Sequence, residues 1–459
     1  MTVEKSKPIM SAEVLNPFIV KQRLSLFQIL KSVLLSFTLL PIRFLFMILT
    51  LLFAWVIGVI TLPGITKEQA LGIEPLNGWR RRWAKPFITK LARLVFFFGG
   101  WYWIPQKGCR ASAKEAPILL VMPHSTFFDT VLVIALGCPS MVVKDSTERI
   151  PFFGRLVKYA QPLFVTSEDP NSRRKIAEKI RERVTSGKDF EQLLLFPEGG
   201  CGNRKALLQF KLGAFAPGVP VQPVFIRYKN DLDTCTWSWE GPGALKQLWL
   251  TLTQLSIHCE LEFLPVYRPS EYERENPRFF ADNIRSFVSS WTETPMSSFS
   301  VEDARFLKMA KENFLPPTAA LVKLLRLRKS IGRHHIDLCD ELLELKGKRK
   351  YFEKMRGNVK HMAFYLGLER CSEALNDFYR TLDQHETNSL DVRVYDAGLY
   401  LLRTDLKVRE KLRRAFKVFG SENAPAEHLE TILLYWKGVP TLKAFSQLDK
   451  FDPEELHSS

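Results

Sequence analysis

Ala116-Pro-Ile-Leu-Leu-Val-Met-Pro-His-Ser-Thr-Phe-Phe-Asp129 reads as a short buried strand that breaks at a proline and passes into a helix. Ala116 to Met122 is an apolar run, Pro123 ends it, and Ser125 or Thr126 is placed to cap a helix starting near Phe127. Working outward, from about residue 111 to 268 such apolar runs alternate with helix-like segments, among them Asn171–Thr185 with Arg, Lys and Glu on a polar face. That alternation predicts an α/β fold with a mainly parallel sheet flanked by helices.

His124 falls in the strand-to-helix turn, where the chain folds back far enough for the Asp129 carboxylate to meet its ring. One straight helix does not pair residues five apart. An imidazole near its working pKa takes a proton from an alcohol, and a carboxylate on its far nitrogen fixes the tautomer and stabilises the imidazolium. The chemistry indicated is acyl transfer to a hydroxyl. Taken alone, the motif is weak, and a surface histidine beside a helix-start aspartate that favours the macrodipole is the simpler reading.

A second block, Leu193-Leu-Leu-Phe-Pro-Glu-Gly-Gly-Cys-Gly-Asn-Arg204, is another buried strand that breaks at Pro197 into a glycine-rich turn ending in a cation. Gly199, Gly200 and Gly202 let backbone amides approach an anion without Cβ obstruction, and Arg204, with Lys205 and Lys211 nearby, can meet phosphate oxygens. The plain alternative is a tight turn with solvated basic residues.

Together the two blocks resemble the glycerophospholipid acyltransferase family, and residues 75 to 295 resemble its lysophosphatidylcholine acyltransferase branch. The likeness rests on His124-Ser-Thr-Phe-Phe-Asp129, Phe196-Pro-Glu-Gly199 with Asn203-Arg204, and Gly218-Val-Pro-Val-Gln-Pro-Val224. Leu232-Asp-Thr, Trp237-Ser-Trp, Gly241-Pro-Gly-Ala-Leu245 and Phe263-Leu-Pro-Val-Tyr267 extend it. The resemblance implies the glycerolipid acyltransferase fold and transfer of an acyl chain from acyl-CoA to a lysophospholipid hydroxyl. It makes His124 the general base and Asp129 its orienting partner, with no acyl-enzyme. Glu198, Gly199 and Arg204 fall on the acceptor-binding block, and Pro220 and Pro223 on the block that shapes the substrate pocket.

Two departures stand out. The family's glutamate-glycine-threonine is here Glu198-Gly199-Gly200, and Gly202 stands where a second threonine is usual, so two hydroxyl donors are gone and backbone amides are left to compensate. The family's arginine three residues after a phenylalanine is replaced by Ser167 in Phe164-Val-Thr-Ser167. Arg173, Arg174 or Lys175 is then expected to supply that charge. Lysophosphatidylcholine leads as acceptor, with lysophosphatidylethanolamine and lysophosphatidic acid next. A catalytically inactive membrane scaffold of the same fold and a hydrolase using water are the competing readings.

Lysines and arginines number 65 against 49 acids, a formal charge of +16. That balance favours anionic headgroups and CoA phosphates. Nucleic acid is not expected as a partner, since no zinc-finger spacing or RNA-binding signature accompanies the charge. Membrane attachment is expected instead: from Ser32 to Leu62 the only charge is Arg43. Phe44 to Leu62 is close to the roughly 20 residues of a helical span. Pro41 is placed to bend Ser32–Leu40 and Phe44–Leu62 into a hairpin, with a single anchor as the alternative. Pro86 to Ile104 suits either an interfacial helix or a core helix. Endoplasmic reticulum or related internal membranes follow from the resemblance alone.

Seven cysteines without paired metal spacing argue against a disulfide framework or a zinc site. Cys201, inside the glycine loop, is read as structural rather than nucleophilic; His258 as core or interface rather than ligand, and His334 and His335 as a solvated basic segment. Three regions are expected: an N-terminal membrane-anchoring region to residue 110, an acyltransferase domain over 111–295, and an all-helical domain over 300–459. The last resembles the branch's EF-hand tail. Its best loop, Asp383-Gln-His-Glu-Thr-Asn-Ser-Leu-Asp-Val-Arg-Val394, lacks the closing bidentate glutamate and has Asn388 where a glycine makes the sharp turn. A second remnant, Gly420-Ser-Glu-Asn-Ala424, is nearly ligand-free. No metal site, no calcium binding and no cofactor beyond acyl-CoA as substrate are expected.

Overall fold

The structure is a computed structural model that describes residues 17–18, 20, 24–150, 153–165, 172–237, 241–304, 306–307, 319–333, 336–349, 356–383, 386–403 and 405–419. The chain divides into two compact units, Met1–Val301 and Glu302–Ser459.

The first unit opens with two apolar helices, α1 (Leu26–Phe37) and α2 (Leu39–Thr61). Ser25 caps α1, its hydroxyl accepting from the Gln28 N–H at 3.2 Å. The break between them falls at Thr38 rather than at Pro41. The reason is local: Pro41 is the third residue of α2, inside the first turn, where no intrahelical N–H is lost. α2 is the one helix among the described residues long and apolar enough to cross a membrane, and most of its surface is unburied. α3 (Lys67–Ala70) and α4 (Lys85–Phe98) follow. α4 packs along α2 through Phe46 stacked on Phe98 and Phe53 edge-on to Phe87. Its other faces leave Leu94 and Phe97 partly exposed, as is Trp103 beyond its end.

Arg43, the lone charge of the apolar run, is buried. Its guanidinium donates to the carbonyls of Leu252 at 2.7 Å, Gln254 at 2.6 Å and Leu255 at 2.8 Å, and to the Tyr102 hydroxyl at 2.9 Å. These carbonyls lie at and just beyond the C-terminal end of a helix, where orphan acceptors and the negative end of the dipole favour a cation.

Among the described residues seven strands form one sheet: β1 (Gln106–Lys107), β2 (Ile118–Met122), β3 (Ser140–Lys144), β4 (Leu163–Val165), β5 (Leu193–Leu195), β6 (Val221–Tyr228) and β7 (Cys259–Phe263), in the order β1-β7-β6-β2-β5-β3-β4. All neighbours are parallel except β6 and β7. The sheet thus starts at Gln106, inside the stretch expected to belong to the N-terminal region. Both faces are covered, as a parallel sheet requires. Ile118, Leu120 and Met122 point into one core with Phe215, Phe280 and Ile284, while Leu119 and Val121 point into another with Val131 and Trp101. The helices that reach these two cores include α5 (Thr130–Ala135), α7 (Ser172–Thr185), α8 (Ala244–Leu252) and α10 (Pro277–Thr292), whereas α6 (Phe153–Val157) packs with α2 and α9 (Glu271–Glu275) with α10.

The second unit comprises α11 (Ala319–Ser330), α12 (Leu338–Arg349), α13 (Val359–Tyr365), α14 (Glu373–Leu382), α15 (Val394–Leu402) and α16 (Val408–Lys417). Two short strands, β8 (Arg356–Gly357) and β9 (Leu390–Asp391), pair antiparallel. Leu324, Leu345, Tyr365, Phe378, Tyr395 and Leu399 fill its core. His334, His335 and the remnant at 420–424 lie outside the described residues.

Candidate active site

β2 delivers the chain to the site through the cis bond Met122-Pro123. Thr126, not Ser125, supplies the cap, its hydroxyl accepting from the Phe128 N–H at 3.2 Å and starting the turn Phe127–Asp129. That turn swings Asp129 back toward His124. Asp129 Oδ2 receives His124 Nδ1 at 2.8 Å and the N–H groups of Ser125 at 2.9 Å and Thr126 at 3.2 Å. Oδ1 accepts from the Tyr228 hydroxyl at 2.6 Å. The carboxylate is 1% exposed, so every contact acts in a low-dielectric setting. With Nδ1 committed to Asp129, Nε2 is the nitrogen left to exchange a proton.

The His124 ring stacks on Phe196, centroids 4.2 Å apart, and Nε2 faces Cys201 Sγ at 3.7 Å. Burial disfavours its charge, but the hydrogen bond to Asp129 and the contact with Cys201 prevail and raise its pKa to about 10. Glu198 lies below, 1% exposed. Its Oε2 accepts from the His124 N–H at 2.6 Å and its Oε1 from the Leu208 N–H at 2.8 Å. Burial outweighs those two bonds and pushes its pKa up to about 7. Glu198 is therefore a brace that ties the histidine loop to the glycine loop, rather than the open acceptor contact expected of it.

The glycine turn is less of an anion cradle than its composition implies. Gly199, at φ +71°, donates to the Phe196 carbonyl at 3.0 Å, and Gly202 donates to the His124 carbonyl at 2.8 Å. The Asn203 N–H is taken by the Pro17 carbonyl at 2.6 Å. Among the described residues of the turn, the N–H groups of Glu198, Gly200, Cys201 and Arg204 have no protein acceptor, and Cys201 meets Nε2 through its thiol. Gly200 also has a reason to be glycine: a Cβ there would lie 2.2 Å from Val301 Cγ2, so Val301 occupies the room a threonine would need.

Arg204 is not free to meet a phosphate as expected. Its Nη2 donates to Asp233 Oδ2 at 2.6 Å and its guanidinium lies 4.7 Å from the centre of the Tyr228 ring, although Nη1 is buried without a hydrogen bond. Burial pushes the Asp233 carboxyl up, but Arg204 and Thr236 prevail and hold it below the usual range. The side chain of Arg173 and all of Ser167 lie outside the described residues. Pro223 lies within β6 level with Leu120, beneath the loops. Pro220 precedes β6 at the end opposite Tyr228, about 20 Å from His124 at about 3.3 Å per strand residue. The strand thus carries Pro220 away from the His124 end of the sheet. Tyr228 was not foreseen; the signal available was a polar-tipped residue closing an apolar strand.

The acyltransferase family model matches residues 105–227. Lysophosphatidylcholine acyltransferase 1 of Danio rerio is 35% identical over 462 residues, covering 96% of this chain and 85% of its own. Lysophosphatidylcholine acyltransferase 2 of Mus musculus is 36% identical over 452 residues, covering 96% and 82%. The solved 1-acyl-sn-glycerophosphate (LPA) acyltransferase PlsC of Thermotoga maritima is 17% identical, covers 56% of this chain and 100% of its own, and superposes with a TM-score of 0.33, too distant to transfer any residue role. With a third of its residues shared along almost its whole length, this chain belongs to the lysophosphatidylcholine acyltransferase family.

Proposed function

We propose that this chain transfers an acyl group from acyl-CoA to the free hydroxyl of a lysophospholipid, lysophosphatidylcholine before lysophosphatidylethanolamine or lysophosphatidic acid. The observation that carries the reading is His124, tied by Nδ1 to Asp129 and turned at Nε2 toward Cys201 of the glycine turn. The acceptor hydroxyl takes the place beside Nε2 that the Cys201 thiol now fills. Its proton passes to Nε2 as the oxygen attacks the thioester carbonyl, and Asp129 stabilises the imidazolium. The N–H groups of Gly200 and Cys201, which have no protein acceptor among the described residues, are the donors assigned to the developing oxyanion. Collapse expels CoA sulfur, which regains the proton from His124. No cofactor beyond the donor takes part.

A thioester is already activated, so most of the acceleration comes from holding the two substrates together, with general base catalysis adding about 10²–10⁴-fold. Because the His124 pKa is raised, its neutral form grows as pH rises, and the rate is expected to climb from acid through neutral to alkaline pH. In this reading α2 seats the enzyme in a membrane, endoplasmic reticulum or a related one, with the exposed apolar residues of α1 and α2 against lipid.

The test is a panel of lysolipids against radiolabelled acyl-CoAs in microsomes carrying the chain. Diacyl product is expected only when donor and lysolipid are both present. Release of free fatty acid at the same rate without lysolipid, or no product with any lysolipid, would overturn the reading.

A further inference from the structure

The acidic partner of the base has a second attachment that the proton transfer does not require. Tyr228 is the last residue of β6, and parallel pairing of β6 with β2 brings the outgoing ends of the two strands side by side. Its hydroxyl reaches Asp129 Oδ1 at 2.6 Å, on the oxygen opposite the one that holds His124. The ring itself is clamped by the Arg204 guanidinium at 4.7 Å, which is fixed in turn by Asp233 at 2.6 Å. A chain of contacts therefore runs Asp233, Arg204, Tyr228, Asp129, His124.

We propose that Tyr228 is a positioning residue for the acyl transfer, its hydroxyl fixing the Asp129 carboxylate and drawing off part of its charge, so that the basicity of His124 is set through Asp129. The inference rests on the acyl-transfer reading. A hydrogen bond donated to the outer oxygen stabilises the carboxylate, weakens its hold on the histidine proton, and so lowers the pKa of His124 relative to the same site without it. Tyr228 stays protonated in this role: burial and the Asp129 charge push its own pKa well above the ordinary value. The other titratable or charged groups around the pair are Cys201 on Nε2, Glu198 beneath it, Cys235 and Cys259 near Asp129 and Tyr228, and Arg204 with Asp233. None of these donates to Asp129 Oδ1, so the Tyr228 contribution is separable.

Tyr228→Phe removes one oxygen and keeps the ring under Arg204. The kcat profile against pH is expected to slide upward by roughly half to one pH unit, leaving the variant about three- to tenfold slower at neutral pH, with the gap closing at alkaline pH and KM for both substrates within about twofold. A merely structural tyrosine gives the same proportional loss at every pH. A second readout needs no turnover: the pH dependence of diethyl pyrocarbonate labelling of His124, resolved by mass spectrometry on the full chain in microsomes, is expected to slide in the same direction. It decides the matter even where Tyr228→Phe lowers the yield of folded protein. An unmoved profile, or a slide to lower pH, in both readouts overturns the inference. Absence of transfer by the unaltered chain would sink the proposed reaction instead, with the labelling still legible.

Discussion

Two acidic loops, one in each unit, use the same local device to different ends. Asp129 accepts the N–H groups of Ser125 and Thr126, and Asp383 accepts those of Thr387 at 3.0 Å and Asn388 at 2.8 Å, with the Thr387 hydroxyl at 2.7 Å. After that the loops diverge. Asp129 has a titratable ring on one oxygen and a tyrosine on the other, so in the proposed reaction its charge acts on His124. Asp383 is absorbed by its own turn, and Asp391 further along is paired with Arg393 at 2.7 Å. Val394, where a calcium loop ends in glutamate, is buried in the helical core. A carboxylate acquires a role from what it still faces once the neighbouring amides are satisfied.

That contrast is open to attack, most severely at the catalytic end. His124→Ala is expected to lower turnover by at least about a thousandfold in a protein that still folds, and Asp129→Asn by about a hundredfold or more, since asparagine keeps an acceptor for the loop amides but not the charge. Radiolabelled acyl transfer, with thermal unfolding in detergent as the control, reads both. Ordinary activity in folded His124→Ala would remove the distinction between the loops.

A smaller effect is expected in the glycine turn. Gly200→Ala drives a Cβ to 2.2 Å from Val301, whereas at Gly202 the nearest atom is Leu208 Cδ1 at an ordinary 3.4 Å. Gly200→Ala should therefore cost about 1–3 kcal/mol of stability and Gly202→Ala little, as melting of the two variants will show. Equal melting temperatures would mean that Val301 does not fill that space. The smallest effect belongs to the other loop: calorimetry on the full chain is expected to show no micromolar calcium binding, and Asp383→Ala to leave acyl transfer unchanged. Micromolar affinity would make the two carboxylates more alike than they look.

The sheet and the His124–Asp129 pair were legible because each is written in contiguous residues: an apolar run, a proline, a capping hydroxyl and an acid five positions on. The rest depends on pairing between distant segments. Tyr228 and Asp129 are 99 positions apart and meet only because β2 and β6 are neighbours. Glu198 looked like a substrate contact because nothing in the sequence says which backbone amides will face it. Pro41 looked like a bend because a proline breaks a helix interior, yet it lies in a first turn. Asn388 replaces the turn glycine and still adopts φ +51°, a conformation asparagine tolerates better than most side chains.

Arg43 has a mechanical consequence. An apolar helix joined to a soluble head by a loose stalk lets the head tilt and wander; α2 is keyed to three carbonyls at and just past the end of α8 and to Tyr102 by a single guanidinium. In a bilayer the height of His124 above the hydrocarbon would then be counted out in helix residues rather than sampled by swinging. Diffusion of the lipid in the plane, not reach by the protein, would bring the acceptor to its base.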